Sequence, residues 1–168
     1  MALRRGDYQI AWYLIEQGAD LFITSRNYGG TVPFSILFNY IEDGDEEGAM
    51  EQLKLLKYVI GKGVSIDGPE YPEYPGAPIN LLGKAACSNN WIVVDYLLNE
   101  KLFDVNDRVT ETRQTALIAA AERRAYSTCR VLLEHGADPF LKDDDGKMAI
   151  AYAVQNNDED LISLLEQQ

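Results

Sequence analysis

Apolar residues along this chain recur with a helical period in short segments that polar or glycine-containing turns separate. The clearest example is residues 114–140, where small apolar residues at 116–121 are followed by a second apolar stripe at 127–134. Thr115 is a favourable helix N-cap, and Gly136 suits the left-handed turn that ends a helix. The segment therefore predicts two short helices and a stop. Helices this short cannot bury their apolar faces alone, so they require neighbours.

A pair of adjacent apolar residues recurs at the position of this second helix. The turn that ends the second helix again contains glycine near residues 18 and 63. Residues 102–104 occupy the same position in another unit but contain no glycine. This recurrence predicts a stack of similar helical units. The spacings between the first four apolar pairs are 45, 38 and 35 residues, and the five pairs are Leu14-Ile15, Val59-Ile60, Leu97-Leu98, Leu132-Leu133 and Leu164-Leu165.

The repeating unit resembles the ankyrin repeat, which spans about 33 residues and opens its first helix with T-P-L-H-x-A. The resemblance implies an all-α ankyrin-repeat solenoid of stacked helix-turn-helix units, with about four repeats, an incomplete first repeat and a C-terminal cap. The single domain would divide into units at about 1–27, 28–66, 67–108, 109–141 and 142–168. The residues that match the pattern are Thr115, Leu117, Ala120, Ala121, Leu132, Leu133, Gly136, Ala137 and Asp138.

The chain departs from the ankyrin pattern where the motif has its histidine. In four units the corresponding residues are Ser35, Gly83, Ile118 and Ala151. In the family that histidine helps to tie neighbouring repeats together by hydrogen bonds. Its absence predicts a divergent member whose stack is held more by apolar packing.

The same register predicts where the other helices lie. We expect helices at about 49–60, 80–88, 91–99 and 158–166. Lys101 replaces a stop glycine and leaves that turn undefined. Most of the first helix of the first unit is missing, so either residues 1–5 form an improvised helix or the chain is a fragment of a longer protein.

The charge of the chain narrows the classes of partner. It has 27 acidic and 15 basic residues, a net charge of −12, which argues against nucleic acid because phosphates require a basic surface. The charge permits a basic protein partner, or it serves only to keep the stack soluble. No apolar run reaches the roughly 18 residues of a membrane span, and no signal-peptide pattern follows Met1. Cys129 lies on an apolar stripe, where a reduced thiol packs as a small apolar side chain. The cysteines therefore favour a reducing, cytoplasmic location. We also expect the chain to be a monomer.

The residues show no recognisable catalytic or cofactor chemistry. His135 is the only histidine and lies at a predicted helix C-terminus, where a cation is favourable without any further role. It and two cysteines 42 residues apart do not make a four-ligand metal set. We therefore expect a protein that is not an enzyme and that binds no cofactor or metal.

An acidic insertion precedes the helix predicted at 49–60, and two interpretations of it remain open. Its carboxylates favour the N-terminus of the following helix, or they form a flexible acidic rim for a basic partner. The residues that we expect to face a partner here are Tyr40, Glu42, Asp43, Glu46 and Glu47.

A proline-rich segment at 67–78 takes the place of one of the turns, called fingers, that join ankyrin repeats. Proline stiffens this segment, which lowers the entropy lost when a partner orders it. Tyr71 and Tyr74 lie in it without an apolar period that would bury them, so they are candidate binding anchors, flanked by Glu70 and Glu73. The alternative is that both rings pack onto the neighbouring repeat.

The ankyrin resemblance also implies recognition through the concave face, which the finger tips and the inner ends of the first helices form. It implies a non-enzymatic module that binds another protein. The similarity to small acidic ankyrin proteins of bacteria adds a sharper expectation, an immunity protein that inhibits a companion toxin. The alternative is an adaptor or scaffold fragment of a longer multidomain protein. On this face the candidate residues are Glu111, Thr112, Gln114, Glu122, Arg123, Asp144 and Asp145.

Overall fold

A computed structural model describes residues 8–22, 32–37, 39–66 and 80–167 of the chain. These residues contain no extended strand, and one antiparallel bridge joins Arg108 to Thr115. The fold is all-α, as predicted. Its helices are α1 (Tyr8–Glu16), α2 (Val32–Ile36), α3 (Glu46–Gly61), α4 (Leu81–Cys87), α5 (Trp91–Asn99), α6 (Ala116–Glu122), α7 (Tyr126–Glu134), α8 (Ala149–Gln155) and α9 (Glu159–Glu166).

The helices form two layers. In the inner layer α2, α4, α6 and α8 each contact the next, and in the outer layer α1, α3, α5, α7 and α9 do the same. Each inner helix also packs on the outer helix that follows it in the chain. Since α1 contacts α3, it is the second helix of its unit, as the register predicted. The improvised helix expected at residues 1–5 lies outside the described ranges. This arrangement is a helical solenoid.

Small residues allow the centre of the stack to pack closely. Every residue of α6 from Ala116 to Ala121 is buried, and four of these six are alanine. This helix contacts α4 on one side and α8 on the other while α7 covers it from the outer layer. Short side chains let the helix axes approach, so that three neighbours share one apolar core.

The ends of the helices follow the sequence signals closely. The Thr115 hydroxyl accepts a hydrogen bond from the Ile118 amide at 3.3 Å, which caps α6 as predicted. Gly136 ends α7 with φ 83°, in the left-handed region. Lys101 ends α5 with φ 54°, so it makes the same left-handed turn without glycine. A side chain in this conformation costs roughly 1 kcal/mol, which the surrounding packing offsets.

One predicted boundary differs from the structure. The helix α3 begins at Glu46, three residues before the predicted start at 49, within the acidic insertion. Asp45 accepts a hydrogen bond from the Gly48 amide at 2.9 Å, and Glu46 and Glu47 lie in the first turn. Carboxylates in this position are favourable beside the positive end of the helix dipole. Part of the insertion is therefore helix rather than loop.

Polar bonds also cross the repeat boundaries, in addition to the apolar packing that the sequence predicts. The Ser88 hydroxyl, after α4, donates to the Leu37 carbonyl after α2. Asn156 holds the same position after α8, and its amide donates to the Glu122 carbonyl of α6 at 3.2 Å. These side chains lie at the opposite end of the inner helices from the missing histidine. They satisfy carbonyls that the end of a helix leaves without partners.

Candidate partner-binding surface

The finger of the fourth unit is a tight hairpin. The Val109 amide donates to the Gln114 carbonyl at 2.8 Å, and the Gln114 amide donates to the Thr110 hydroxyl at 3.0 Å. Arg113 takes φ 54° to close the turn. Glu111 and Thr112 are exposed at the tip, where the sequence predicted partner contacts.

The finger of the fifth unit is built around one carboxylate. Asp143 is buried and accepts hydrogen bonds from the Lys147 amide at 2.9 Å, the Asp145 amide at 3.0 Å and the Tyr152 hydroxyl at 2.6 Å. Burial works to raise the pKa of Asp143, but these hydrogen bonds outweigh it and lower the pKa below its ordinary value. Because the carboxylate stays ionised, the turn keeps its acceptor. Asp144 and Asp145 remain exposed at the tip.

Backbone contacts join the two fingers. The Asp144 amide donates to the Thr112 carbonyl at 3.0 Å. The Arg108 guanidinium donates to the Arg113 carbonyl at 2.6 Å and to the Lys142 carbonyl at 2.7 Å, and so links both hairpins. The structure thus brings together four of the predicted contact residues, which the sequence separates by up to 34 positions, on one surface. We call this surface the finger surface, and its residues are Glu111, Thr112, Asp144 and Asp145.

Three predicted contact residues lie beneath or beyond this surface. Gln114 is only 8% exposed, and its amide donates to the Glu122 carboxylate at 3.1 Å, so it positions Glu122 rather than offering a free side chain. Glu122 and Arg123 are exposed at the far end of α6. Burial raises the pKa of the Cys87 thiol on the neighbouring inner helix, and the charge of Arg123 works against that rise.

The remaining part of the acidic insertion is bonded to neighbouring units, which does not favour the flexible-rim interpretation. The Ile41 amide donates to the Ser88 carbonyl at 2.8 Å, and the Asn89 side-chain amide donates to the Ile41 carbonyl at 2.9 Å. The Tyr40 hydroxyl donates to the Arg124 carbonyl at 3.3 Å, two units further along the stack. Burial raises the pKa of Tyr40 to about 12, and the Asp43 and Glu42 carboxylates add to the shift. The hydroxyl therefore remains a donor at neutral pH.

Asp43 has a structural use that the sequence did not reveal. The residue before α7 is Ala125, which has no side chain that can cap the helix. The Asp43 carboxylate accepts a hydrogen bond from the Ser127 backbone amide at 3.1 Å. The side-chain oxygen of Asn89, Oδ1, accepts one from the Thr128 backbone amide at 3.3 Å. Two side chains from other units thus cap α7. The insertion spans the third unit to reach the fourth.

An open groove of about 700 Å³ lies where this insertion meets the turns between inner and outer helices. We call it the turn groove. Two tyrosines and two arginines line it, namely Tyr40, Tyr126, Arg123 and Arg124. Its carboxylates are Glu42, Asp43, Asp158 and Asp160.

The comparison with known families now decides what kind of solenoid this is. A family model for ankyrin repeats, in three copies, matches residues 48–143 and 82–168. The chain belongs to the ankyrin-repeat family. Members of this family are modules for protein–protein interaction, and the family is generally not enzymatic.

Curated relatives share parts of this ankyrin-repeat chain. Diacylglycerol kinase iota of Homo sapiens is 34% identical over 122 residues, which are 70% of this chain and 11% of the kinase. Oxysterol-binding protein homolog 1 of Saccharomyces cerevisiae is 42% identical over 62 residues, 37% of this chain and 5% of that protein. A putative ankyrin repeat-containing protein of Treponema pallidum is 42% identical over 52 residues, 31% of this chain and 17% of that protein. The chain thus spans less than a fifth of each of these proteins.

Other predicted features of the ankyrin chain fall outside the structural description. Tyr71 and Tyr74, the candidate anchors, and their neighbours Glu70 and Glu73 all lie in the undescribed range 67–79.

The predicted residues of the acidic insertion lie within the described part of the chain. Glu46 and Glu47 are exposed, but they belong to the first turn of α3. Of the residues predicted in the insertion, Tyr40, Glu42 and Asp43 line the turn groove.

Sequence reasoning missed four residues of the turn groove and the arginine that links the fingers. The missed groove residues are Arg124, Tyr126, Asp158 and Asp160. Each lies in the loop between an inner and an outer helix or in the first helical turn of that outer helix. The usual ankyrin binding face does not include this edge. The sequence signal that could have indicated the groove was the insertion before α3. An enlarged loop between two helices reaches the corresponding loops of later units.

The described residues contain no group of three or more side chains that is arranged to hold a metal ion. His135 lies 2.8 Å from the Asp95 carboxylate, a contact between α7 and α5 that accounts for its position. Within the same ranges, none of the helices has the length and apolar character needed to cross a membrane.

Proposed function

We propose that this chain binds a partner protein through the finger surface, and that it acts without catalysis. The observation that carries this proposal is the pair of contacts that joins the two fingers, from Asp144 to Thr112 and from Arg108 to both hairpins. A surface that is already ordered loses little conformational entropy on binding. The exposed side chains at the tips are therefore available for recognition at low cost.

The charge of the whole chain favours a basic partner, although the fingers themselves carry both signs. Glu111, Asp144 and Asp145 are exposed acids. The cations of the same two fingers are Arg108, Arg113, Lys142 and Lys147. Arg113 lies 3.8 Å from Asp144, and both side chains are mostly exposed, so this ion pair contributes little to stability. The net charge of −12 would speed the approach of a basic protein, which the acids at the finger tips could then contact.

The sharper form of the proposal is an immunity protein that blocks a companion toxin. Its support is the similarity to small acidic ankyrin proteins of bacteria, together with exposed acids at bonded finger tips that could pair with a basic active site. The relatives come from yeast, human and a bacterium, so they favour no single kingdom.

The alternative is an adaptor segment of a longer protein. The observation in its favour is that the matched relatives are much longer than this chain, which covers 11% of the human kinase. Coding sequence in frame with this chain on either side would support the adaptor. An adjacent gene for a toxin whose lethality is relieved by co-expression of this chain would support the inhibitor.

Binding kinetics with a partner isolated by affinity capture would test the finger surface. The variant Glu111→Gln with Asp144→Asn removes two charges from the finger tips without changing side-chain size. We expect association to slow by about tenfold at low salt, with weaker salt dependence and a smaller effect on dissociation. Equal rates for the variant and the unchanged protein would contradict the proposal.

A matched control removes the same charge from the outer layer. Glu134→Gln with Glu166→Gln changes two exposed acids on α7 and α9 and should alter association by less than about twofold. Arg108→Ala leaves the exposed tips unchanged and removes the side-chain link between the fingers, while the backbone bond from Asp144 to Thr112 remains. It should accelerate dissociation, because fingers that are joined by one link lose more conformational entropy on binding.

A further inference from the structure

The turn groove is separate from the finger surface. The inner helix α6 begins next to its finger at Ala116 and ends at Glu122, beside the groove residue Arg123. Seven helical residues span about 10 Å, so the groove and the fingers lie at opposite ends of the inner layer. A partner contact in the groove is therefore additional to any contact made by the fingers.

One wall of the groove is already ordered. The segment from Tyr40 to Asp45 is bonded to the third unit through Ser88 and Asn89 and to the fourth through Arg124 and Ser127. Asp45 at its end caps α3. A ligand that enters the groove meets a fixed wall and does not have to order a loop.

The charges within the groove do not balance. Arg124 is 3.2 Å from Asp158, and that pair is internally compensated. Of the described residues that line the groove, Glu42, Asp43 and Asp160 then remain with one cation, Arg123. Among the described residues, the side chains of Glu42 and Asp160 make no hydrogen bond or ion pair within the chain. The groove therefore has a local excess of negative charge with carboxylates available to a ligand.

Two partly exposed tyrosine rings accompany these carboxylates. Tyr40 is 41% exposed and Tyr126 is 37% exposed, although both lie beside packed turns. An aromatic face attracts a cation, and a guanidinium also stacks on it as a plane. Carboxylates next to such rings add paired hydrogen bonds to the same guanidinium.

We propose that the turn groove is a second interaction surface and that it takes an arginine-containing segment of a partner protein. The guanidinium lies against a tyrosine ring and is paired with Glu42 or Asp160. Arginine fits better than lysine because its planar fork can stack and bond to a carboxylate at the same time. Acidic segments and nucleic acid are repelled by the same carboxylates.

A capped tetra-arginine peptide is the probe for this proposal. It is titrated into the isotopically labelled full chain at low salt, and backbone amide shifts are followed by NMR. The shifts should concentrate at residues 40–44, 124–127 and 158–160, and the affinity should fall as salt rises. A tetra-lysine peptide should bind about threefold or more weakly, and a tetra-glutamate peptide should cause no shifts. Equal binding of the lysine peptide would overturn the choice of arginine.

Two pairs of variants separate the groove from general attraction to an acidic protein. Glu42→Gln with Asp160→Asn should weaken binding of the tetra-arginine peptide by about fivefold or more. The finger variant Glu111→Gln with Asp144→Asn removes the same charge and should change it by less than about twofold. Equal weakening by both variants, or shifts spread over the finger tips, would overturn the proposal. The finger variant is judged separately against the isolated partner, so the groove and the finger surface can fail independently.

The ring is tested at Tyr126. Tyr126→Ala should weaken binding by about threefold or more, and Tyr126→Phe should retain it, because Phe keeps the aromatic face without the hydroxyl. Thermal melting establishes that each variant is folded. If the charge variant of the groove fails to fold, the tyrosine pair decides the question, and identical affinities for Ala and Phe would reject the proposed stacking.

Discussion

At the scale of single residues, two threonines with similar burial have opposite effects. Thr115 is 1% exposed, and its hydroxyl caps α6. Thr128 is fully buried in α7, and its hydroxyl has no hydrogen-bond partner among the described residues. A buried hydroxyl without a partner loses its bonds to water and gains nothing in return.

Valine has nearly the shape of threonine, so it tests this difference directly. Thr128→Val should raise the free energy of unfolding by roughly 1 kcal/mol, since it removes an unsatisfied hydroxyl. Thr115→Val should lower it by roughly 1 kcal/mol, since it removes a helix cap. Urea unfolding followed by circular dichroism measures both changes. A loss of stability in Thr128→Val similar to that in Thr115→Val would show that the Thr128 hydroxyl has a partner.

At the scale of elements, the helix α7 depends on residues outside its own unit. Ala125 cannot cap it, whereas Asp43 and Asn89 accept hydrogen bonds from its first amides. The insertion before α3 thereby couples the second unit to the fourth. Nearest-neighbour contacts alone are the rule in repeat stacks, so this insertion is a departure with a physical function.

Removing this cap should destabilise a helix in a distant unit. Asp43→Ala should lower the free energy of unfolding by about 1 kcal/mol and speed hydrogen exchange of the Ser127 amide. Asp43→Asn should retain most of the protection, because its carbonyl oxygen can still accept that bond. Glu42→Ala is the matched control, since the Glu42 side chain bonds to no described residue. Unchanged exchange at Ser127 in Asp43→Ala would contradict the role of Asp43 as a cap.

At the scale of the whole molecule, the stack is unevenly buried from end to end. The helix α1 contributes one buried residue, Ala11, while α6 contributes six. Ile10, Tyr13 and Leu14 of α1 remain about half exposed. Opening α1 therefore exposes little new apolar surface, whereas opening α6 separates three packed neighbours.

Native-state hydrogen exchange should follow this gradient. We expect the fastest opening in α1 and the slowest in α6 and α7, as in other stacks of neighbouring units. The ratio of protection factors should exceed roughly a hundredfold if the two regions open independently, because it reflects several kcal/mol of difference in buried apolar surface. Uniform protection from α1 to α9 would show that the stack opens as one cooperative body instead.

The sequence by itself determined the repeat register, the outer position of α1 and most helix ends. These depend on local physics: apolar periodicity, the Thr115 cap and the glycine turns act within a few residues. It also placed Glu111, Thr112, Asp144 and Asp145 at finger tips, because the turns occupy regular positions in each unit.

Only the tertiary structure decided how the polar residues are used. The bonds from Ser88 to Leu37 and from Asp43 to Ser127 join residues 51 and 84 positions apart. No local pattern predicts such pairs, because they depend on how far the insertion reaches across the stacked turns. The turn groove and the bonded fingers are visible for the same reason only after the units are stacked. The local patterns of the repeats determine the architecture. The long-range hydrogen bonds of single side chains decide which acids are structural and which are available to a partner.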